Sequence, residues 1–226
     1  MIKIYGDARI KIAATTLANE EMEIIRNISY QDVGTLGGVP AGDIPGTQVK
    51  QKDNIQFSIT TTIRNIDDPF DGTAGGNPDD IAPADYKLIE LLITCSSCTT
   101  AQEFEFTGRI APRKLETATT NGSLFIKTIN ANGETVGAAS VNVTNNTLNP
   151  PLNLTDSTDS NGLLKLIDLP PANQSYHITV SKSGYSLDQT YPVSAQNPNP
   201  VKPDATVAIQ QITQVTFAVD LLSTLN

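Results

Sequence analysis

Residues 10–28 read Ile-Lys-Ile-Ala-Ala-Thr-Thr-Leu-Ala-Asn-Glu-Glu-Met-Glu-Ile-Ile-Arg-Asn-Ile, and this stretch decides the fold. Ile10, Ala14, Leu17, Glu21, Ile25 and Ile28 recur at three- and four-residue steps, with Ala13 and Ile24 widening the stripe. Lys11, Asn19, Glu20, Glu23 and Arg26 fall on the opposite side. That period is the signature of an amphipathic helix, expected from about Tyr5 to Ile28. Gly34, Gly37, Gly38, Pro40, Gly42 and Pro45 then end any regular element. The Gly-rich run has no Lys to meet a phosphate and reads as a loop.

Strand patterns follow the helix. Phe57, Ile59, Thr61 and Ile63 alternate within Gln56–Ile63, as a half-buried strand requires. Tyr86–Thr94 is more continuously apolar, and Glu103–Ile110 sets Phe104 and Phe106 on one side. A helix and three strands can bury the helical stripe on a small antiparallel sheet. Residues 111–121, APRKLETATTN, lack an apolar period and read as a linker. Beyond Gly122 the patterns are strands only: Leu124–Ile129, Val141–Thr144, Leu163–Leu166, Tyr176–Val180, Ser186–Val193, Thr206–Ile209 and Gln214–Asp220. Asn132-Gly133, Asn161-Gly162, Pro170-Pro171 and Ser183-Gly184 supply the turns. Short strands at this spacing predict a β-sandwich. The expected class is α+β: residues 1–110 a helix on a small sheet, 111–121 a linker, 122–226 an all-β sandwich.

Composition narrows the function. The formal net charge is −9 over 226 residues, and aromatic residues make up 5%. An anionic chain without a basic run argues against nucleic acid, where Lys and Arg must neutralise phosphates. No apolar run approaches the roughly 18 residues that span a bilayer, and no signal peptide is visible. The helical pattern is already under way close to Met1. Either the native chain starts there or an upstream segment has been removed. Patterns for a nucleophile elbow, a zinc protease helix or a P-loop do not occur, so no catalytic residue and no enzyme activity are expected.

Two family resemblances cover most of the chain. Ala13–Asn27, Tyr30, Asp32-Val33-Gly34-Thr35 and Asp67-Asp68-Pro69-Phe70-Asp71-Gly72 resemble the exported part of a type IV pilin-like protein or pseudopilin. In that family the helix continues an apolar segment that anchors the precursor in the membrane and later forms the filament core. Gly122, Asn132–Ala138, Val141, Val143, Thr158–Gly162, Leu169-Pro170, Tyr176–Val180 and Lys182–Tyr185 resemble the carboxypeptidase regulatory-like domain, a transthyretin-like (immunoglobulin-like) sandwich. Despite their name, these domains are non-catalytic spacers or interaction modules. Together the resemblances imply a subunit of an extracellular type IV pilus-like or secretion pseudopilus filament. Its helix would contact other pilin-like subunits, and its sandwich would face outward as a spacer or adhesive domain. The alternative is a non-polymerising cell-surface adhesin or carbohydrate-binding module with a surface ligand or glycan as partner.

Three groups of residues are chemical candidates. Asp67, Asp71, Asn77, Asp79 and Asp80 crowd one Gly-rich loop. Ca²⁺ takes six to eight oxygens from such loops, and unpaired carboxylates repel one another. The other reading is a solvated loop whose Asp side chains cap turns. Cys95 and Cys98 form a CxxC between two predicted strands, without the further soft ligands of a zinc site or the βαβ setting of a redox motif. A local disulfide, in keeping with an oxidising exterior, is expected. His177 is expected to face solvent without a neighbouring carboxylate. Ser157–Gly162 reads as a β-turn.

Overall fold

The computed structural model describes residues 2–95, 97–98, 102–112 and 119–223, with side chains from residue 7 onward. Most of the expected linker 111–121 lies outside the described residues. Among those described are one helix, α1 (Ile2–Arg26), a 3-10 turn (Tyr30–Asp32) and twelve strands in three sheets. The α+β expectation, a pilin-like helix on a small sheet followed by one immunoglobulin/transthyretin-like sandwich, is thereby corrected: the protein is mostly β, with a single helix and several sheets. Part of the reason is that two strands carry no strong apolar alternation. β1 (Thr47–Lys52, TQVKQK) and β7 (Leu152–Ser157, LNLTDS) are held at sheet edges by backbone pairing. An edge strand can dispense with strong apolar alternation, because one side of its ladder and much of its surface face water.

Close contacts divide the chain into two units, residues 1–66 with 85–115, and residues 67–84 with 116–226. The acidic segment 67–84 thus packs with the second unit although it interrupts the first.

In the first unit, β1, β2 (Ile55–Ile66), β3 (Tyr86–Cys95) and β4 (Glu103–Ile110) form an antiparallel sheet in chain order. Register sets Ile59 opposite Ile93 and Ile63 opposite Ile89. These side chains share a buried cluster with Ala13, Ala14, Leu17, Ala18, Met22 and Ile25 of α1. Small side chains bring the helix close to the strands. A Cβ on Gly108 of β4 would lie 3.0 Å from Met22 Sδ. The Gly-rich loop folds on itself, and a Cβ on Gly34 would meet Ala41 O at 2.4 Å.

The second unit holds two sheets. β10 (Asp188–Gln189), β9 (Ala172–Ser181), β6 (Ser140–Asn145) and β7 run in that order, with β11 (Ala205–Val207) also on β9. β12 (Ile212–Ala218), β5 (Gly122–Ile129) and β8 (Leu163–Leu169) form the other, β12 parallel to β5. Alternate positions are buried as a strand period requires: Val141 and Val143 on β6, Tyr176, Ile178 and Val180 on β9, and Leu124 and Ile126 on β5. The strand expected over Ser186–Val193 shrinks to Asp188–Gln189. There Asp188 is drawn into polar contacts with Lys202 and with the Ala218 amide.

Candidate functional site

The helix presents two different faces. Toward the sheet, Ala13, Ala14, Leu17, Ala18, Met22 and Ile25 are at most 6% exposed. Outward, Ile12 is 65% and Ile24 54% exposed. Ile24 therefore does not widen the buried stripe as expected; Ala18 and Met22 do. Glu21 is buried as well, and its carboxylate takes Lys50 Nζ at 2.5 Å and Gln48 Nε2 at 2.9 Å. One turn's edge away, Glu20 takes Lys52 Nζ at 2.5 Å. That bonded carboxylate holds the Lys52 ammonium pKa above its ordinary value of 10.5. The polar strand β1 thus carries the cations and amide that tie the helix to its sheet. Its role was invisible in the apolar pattern, though the spacing Gln48, Lys50, Lys52 is that of one strand face.

The acidic loop spends most of its carboxylates on its own backbone. Asp67 Oδ2 accepts from Ala74 N (3.1 Å), Asp79 Oδ1 from Gly75 N (2.7 Å) and Asp80 Oδ1 from Ala82 N (2.8 Å). Thr73 O accepts from Gly76 N and Asp80 N, closing the turn. Of the five expected ligands, Asp67 and Asp80 come together, with carboxylate oxygens within 4.8 Å. Asp80 Oδ2 is a buried oxygen without a hydrogen bond. Asp71 and Asn77 are exposed.

Cys95, at the end of β3, is bonded to Cys98 with Cα atoms 5.6 Å apart. His177 has a carboxylate neighbour after all. Asp204, 27 positions on, meets Nδ1 at 2.9 Å. Thr190 Oγ1 donates to the same carboxylate oxygen at 2.8 Å and accepts from Ile178 N at 2.8 Å. This group pins the segments flanking β10 and β11 to β9. No sequence pattern links three residues so far apart.

No family profile matches the chain, and the comparison with curated proteins gives no match. Among solved structures, the major pilin subunit BcpA of Bacillus cereus aligns at 18% identity over 61% of this chain and 38% of its own, with a TM-score of 0.30. The Bacillus anthracis TIE protein aligns at 11% identity over 78% of this chain and 39% of its own, with a TM-score of 0.34. The chain therefore spans about two-fifths of either structure's length. No helix among the described residues is long and apolar enough to cross a membrane.

Proposed function

We propose that the chain is a non-catalytic subunit of an extracellular surface filament, joined to like subunits through α1. The observation that carries this reading is the outward face of the helix. Its inner face is satisfied by the sheet and by the Glu21–Lys50 pair, yet Ile12 and Ile24 stay largely in water, clear of the sheet. Twelve residues apart, the two side chains point about 120° away from each other around the helix axis, so each is placed to meet a different neighbouring subunit, and full burial of each contributes about 1.5–3 kcal/mol. The finer assignment, to a type IV pilus-like or secretion pseudopilus filament, rests on the resemblance of residues 13–27. The resemblance of residues 122–185 to carboxypeptidase regulatory-like domains supports a spacer or adhesive role for the second unit.

The test places single cysteines at Ile12 and at Ile24 in the native, surface-displayed protein. Oxidation is expected to give a ladder of crosslinked subunits from each. Electron microscopy of the same cells is expected to show filaments that disappear with the gene. Monomers only, with no filament, would leave the alternative of a non-polymerising adhesin. Calcium at Asp67 and Asp80, with Asp71, Asn77 and Asp79 as further ligands, remains a proposal. A calorimetric titration with neither heat nor a change in melting temperature removes it.

A further inference from the structure

The second unit has a cleft of ≈ 540 Å³ lined by the β5–β6 loop, the β9–β10 loop and the segment after β12. Its size falls within the roughly 300–1,000 Å³ of small-ligand sites. Asn130, Asn132, Glu134, Lys182, Tyr185 and Asp220 are among the residues that line it. Several are fixed by one polar atom and leave another over. Asp220 Oδ1 accepts from Ala131 N at 2.7 Å, while among the described residues Oδ2 has no hydrogen-bond partner. Glu134 Oε2 accepts from Asn130 Nδ2 at 2.8 Å, and Oε1 is left over. Asn130 Oδ1 accepts from the amides of Asn132 and Glu134 at 3.0 and 2.9 Å, which sets the loop. Lys182 Nζ donates to Gly137 O at 2.7 Å and lies 5.0 Å from the centre of the Tyr185 ring. Among the described residues the hydroxyl of the half-buried Tyr185 has no hydrogen-bond partner.

We propose that this cleft binds a neutral hexose unit of a polysaccharide. The remaining atoms alternate acceptors (Asp220 Oδ2, Glu134 Oε1) with donors (the Lys182 ammonium hydrogens), and the Asn132 amide and Tyr185 hydroxyl supply both. A sugar hydroxyl is donor and acceptor at once, so a ring of hydroxyls satisfies such a set without leaving a desolvated group unpaired. The tyrosine ring adds an apolar surface for the C–H face of a pyranose. Two carboxylates against one ammonium, on a chain of net charge −9, oppose uronic acids, sialic acids and phosphorylated sugars. Because the Asn130, Glu134, Lys182 and Asp220 side chains are each held by a hydrogen bond before the ligand arrives, little of their ordering is lost on binding. The inference stands apart from the filament reading: a subunit that does not polymerise could still hold this cleft.

The full chain is tested by nuclear magnetic resonance titration against maltohexaose, cellohexaose, chitohexaose and mannohexaose, with polygalacturonate as the acidic comparison. At least one neutral oligosaccharide is expected to shift resonances of the 130–137 and 182–186 loops. Tyr185→Ala and Asp220→Asn should weaken that binding about tenfold or more. Tyr185→Phe, which keeps the ring and its lysine contact, should weaken it severalfold. Thr155→Ala, on β7 and outside the cleft, should leave it unchanged. No binding by any neutral oligosaccharide at millimolar concentration, binding unaffected by the Tyr185→Phe and Asp220→Asn changes, or preference for polygalacturonate would each overturn the proposal. Should Tyr185→Ala not fold, Tyr185→Phe and the loop resonances decide.

Discussion

Lys87 shows what a single side chain can demand of its surroundings. It sits within β3 and is 5% exposed, and its ammonium donates to Val33 O at 2.6 Å and Tyr30 O at 2.7 Å. The Tyr30 ring centre lies 4.7 Å away. A buried cation is tolerated only when so satisfied. Lys87→Met keeps the stem and leaves the two carbonyls without this donor, so it is expected to cost about 2–3 kcal/mol, read from urea unfolding. Tyr176 gives a pH signature. It is fully buried, its hydroxyl donates to Pro170 O at 2.5 Å, and burial pushes its pKa up to about 12, against a smaller opposing influence from Asn145. The unfolded phenol ionises from about pH 10. Between these values the folded chain holds the extra proton, so its contribution is intact below pH 10 and falls as pH rises toward 12, by on the order of 2–3 kcal/mol in all. Alkaline unfolding followed by circular dichroism should therefore steepen in that window, and should do so less in Tyr176→Phe. Lys52 acts with the same sign: its raised pKa means that its pairing with Glu20 helps below about pH 10.5 and is lost above.

Between elements, the two ion pairs joining α1 to β1 differ in burial and hence in worth. The Glu21 side chain is 7% exposed and that of Glu20 49%. Glu21→Ala leaves Lys50 facing a buried gap and Gln48 without its acceptor; since Lys50 is about a third exposed, a loss of about 2 kcal/mol is expected. Glu20→Ala, which removes a solvent-screened partner of Lys52, should cost clearly less than Glu21→Ala. Chemical denaturation of the two variants side by side checks the contrast. In the acidic loop, Gly75 has φ +68°, and an added Cβ would lie 2.6 Å from Ile212 Cδ1 on β12. Gly75→Val should therefore lower the melting temperature of the second unit by several degrees, with Gly75→Ala milder. The same elements explain what was legible in the sequence. The α1 pattern and the apolar strands β2, β3 and β9 show because burial imprints a period on side chains. β1 and β7 do not, since edge pairing uses backbone groups that every residue carries. The placing of segment 67–84 is equally silent: its glycines mark turns, but the surface it packs against lies more than a hundred residues further on, around Ile212. Of the sites, the Asp67–Asp80 approach lies inside one dense run, whereas His177–Asp204–Thr190 and the cleft around Tyr185 are assembled from segments far apart in the chain.

At the scale of the whole chain, the covalent path visits the second unit twice, at residues 67–84 and again from 116 onward. Expressed alone, residues 119–226 lack the earlier visit. They lose the contacts of Gly75 and Ile81 with Ile212 and the amide of Thr119, so this fragment should melt below the corresponding transition of the full chain, as scanning calorimetry can read. The same path bears on how the protein survives damage. A protease that severs the backbone once between residues 112 and 119 breaks the direct thread, yet the earlier excursion remains seated among the strands that follow the cut. The two pieces should co-elute from a sizing column under native conditions and separate only on a denaturing gel, so a nicked molecule would persist as one particle where a simple string of beads would shed its outer half.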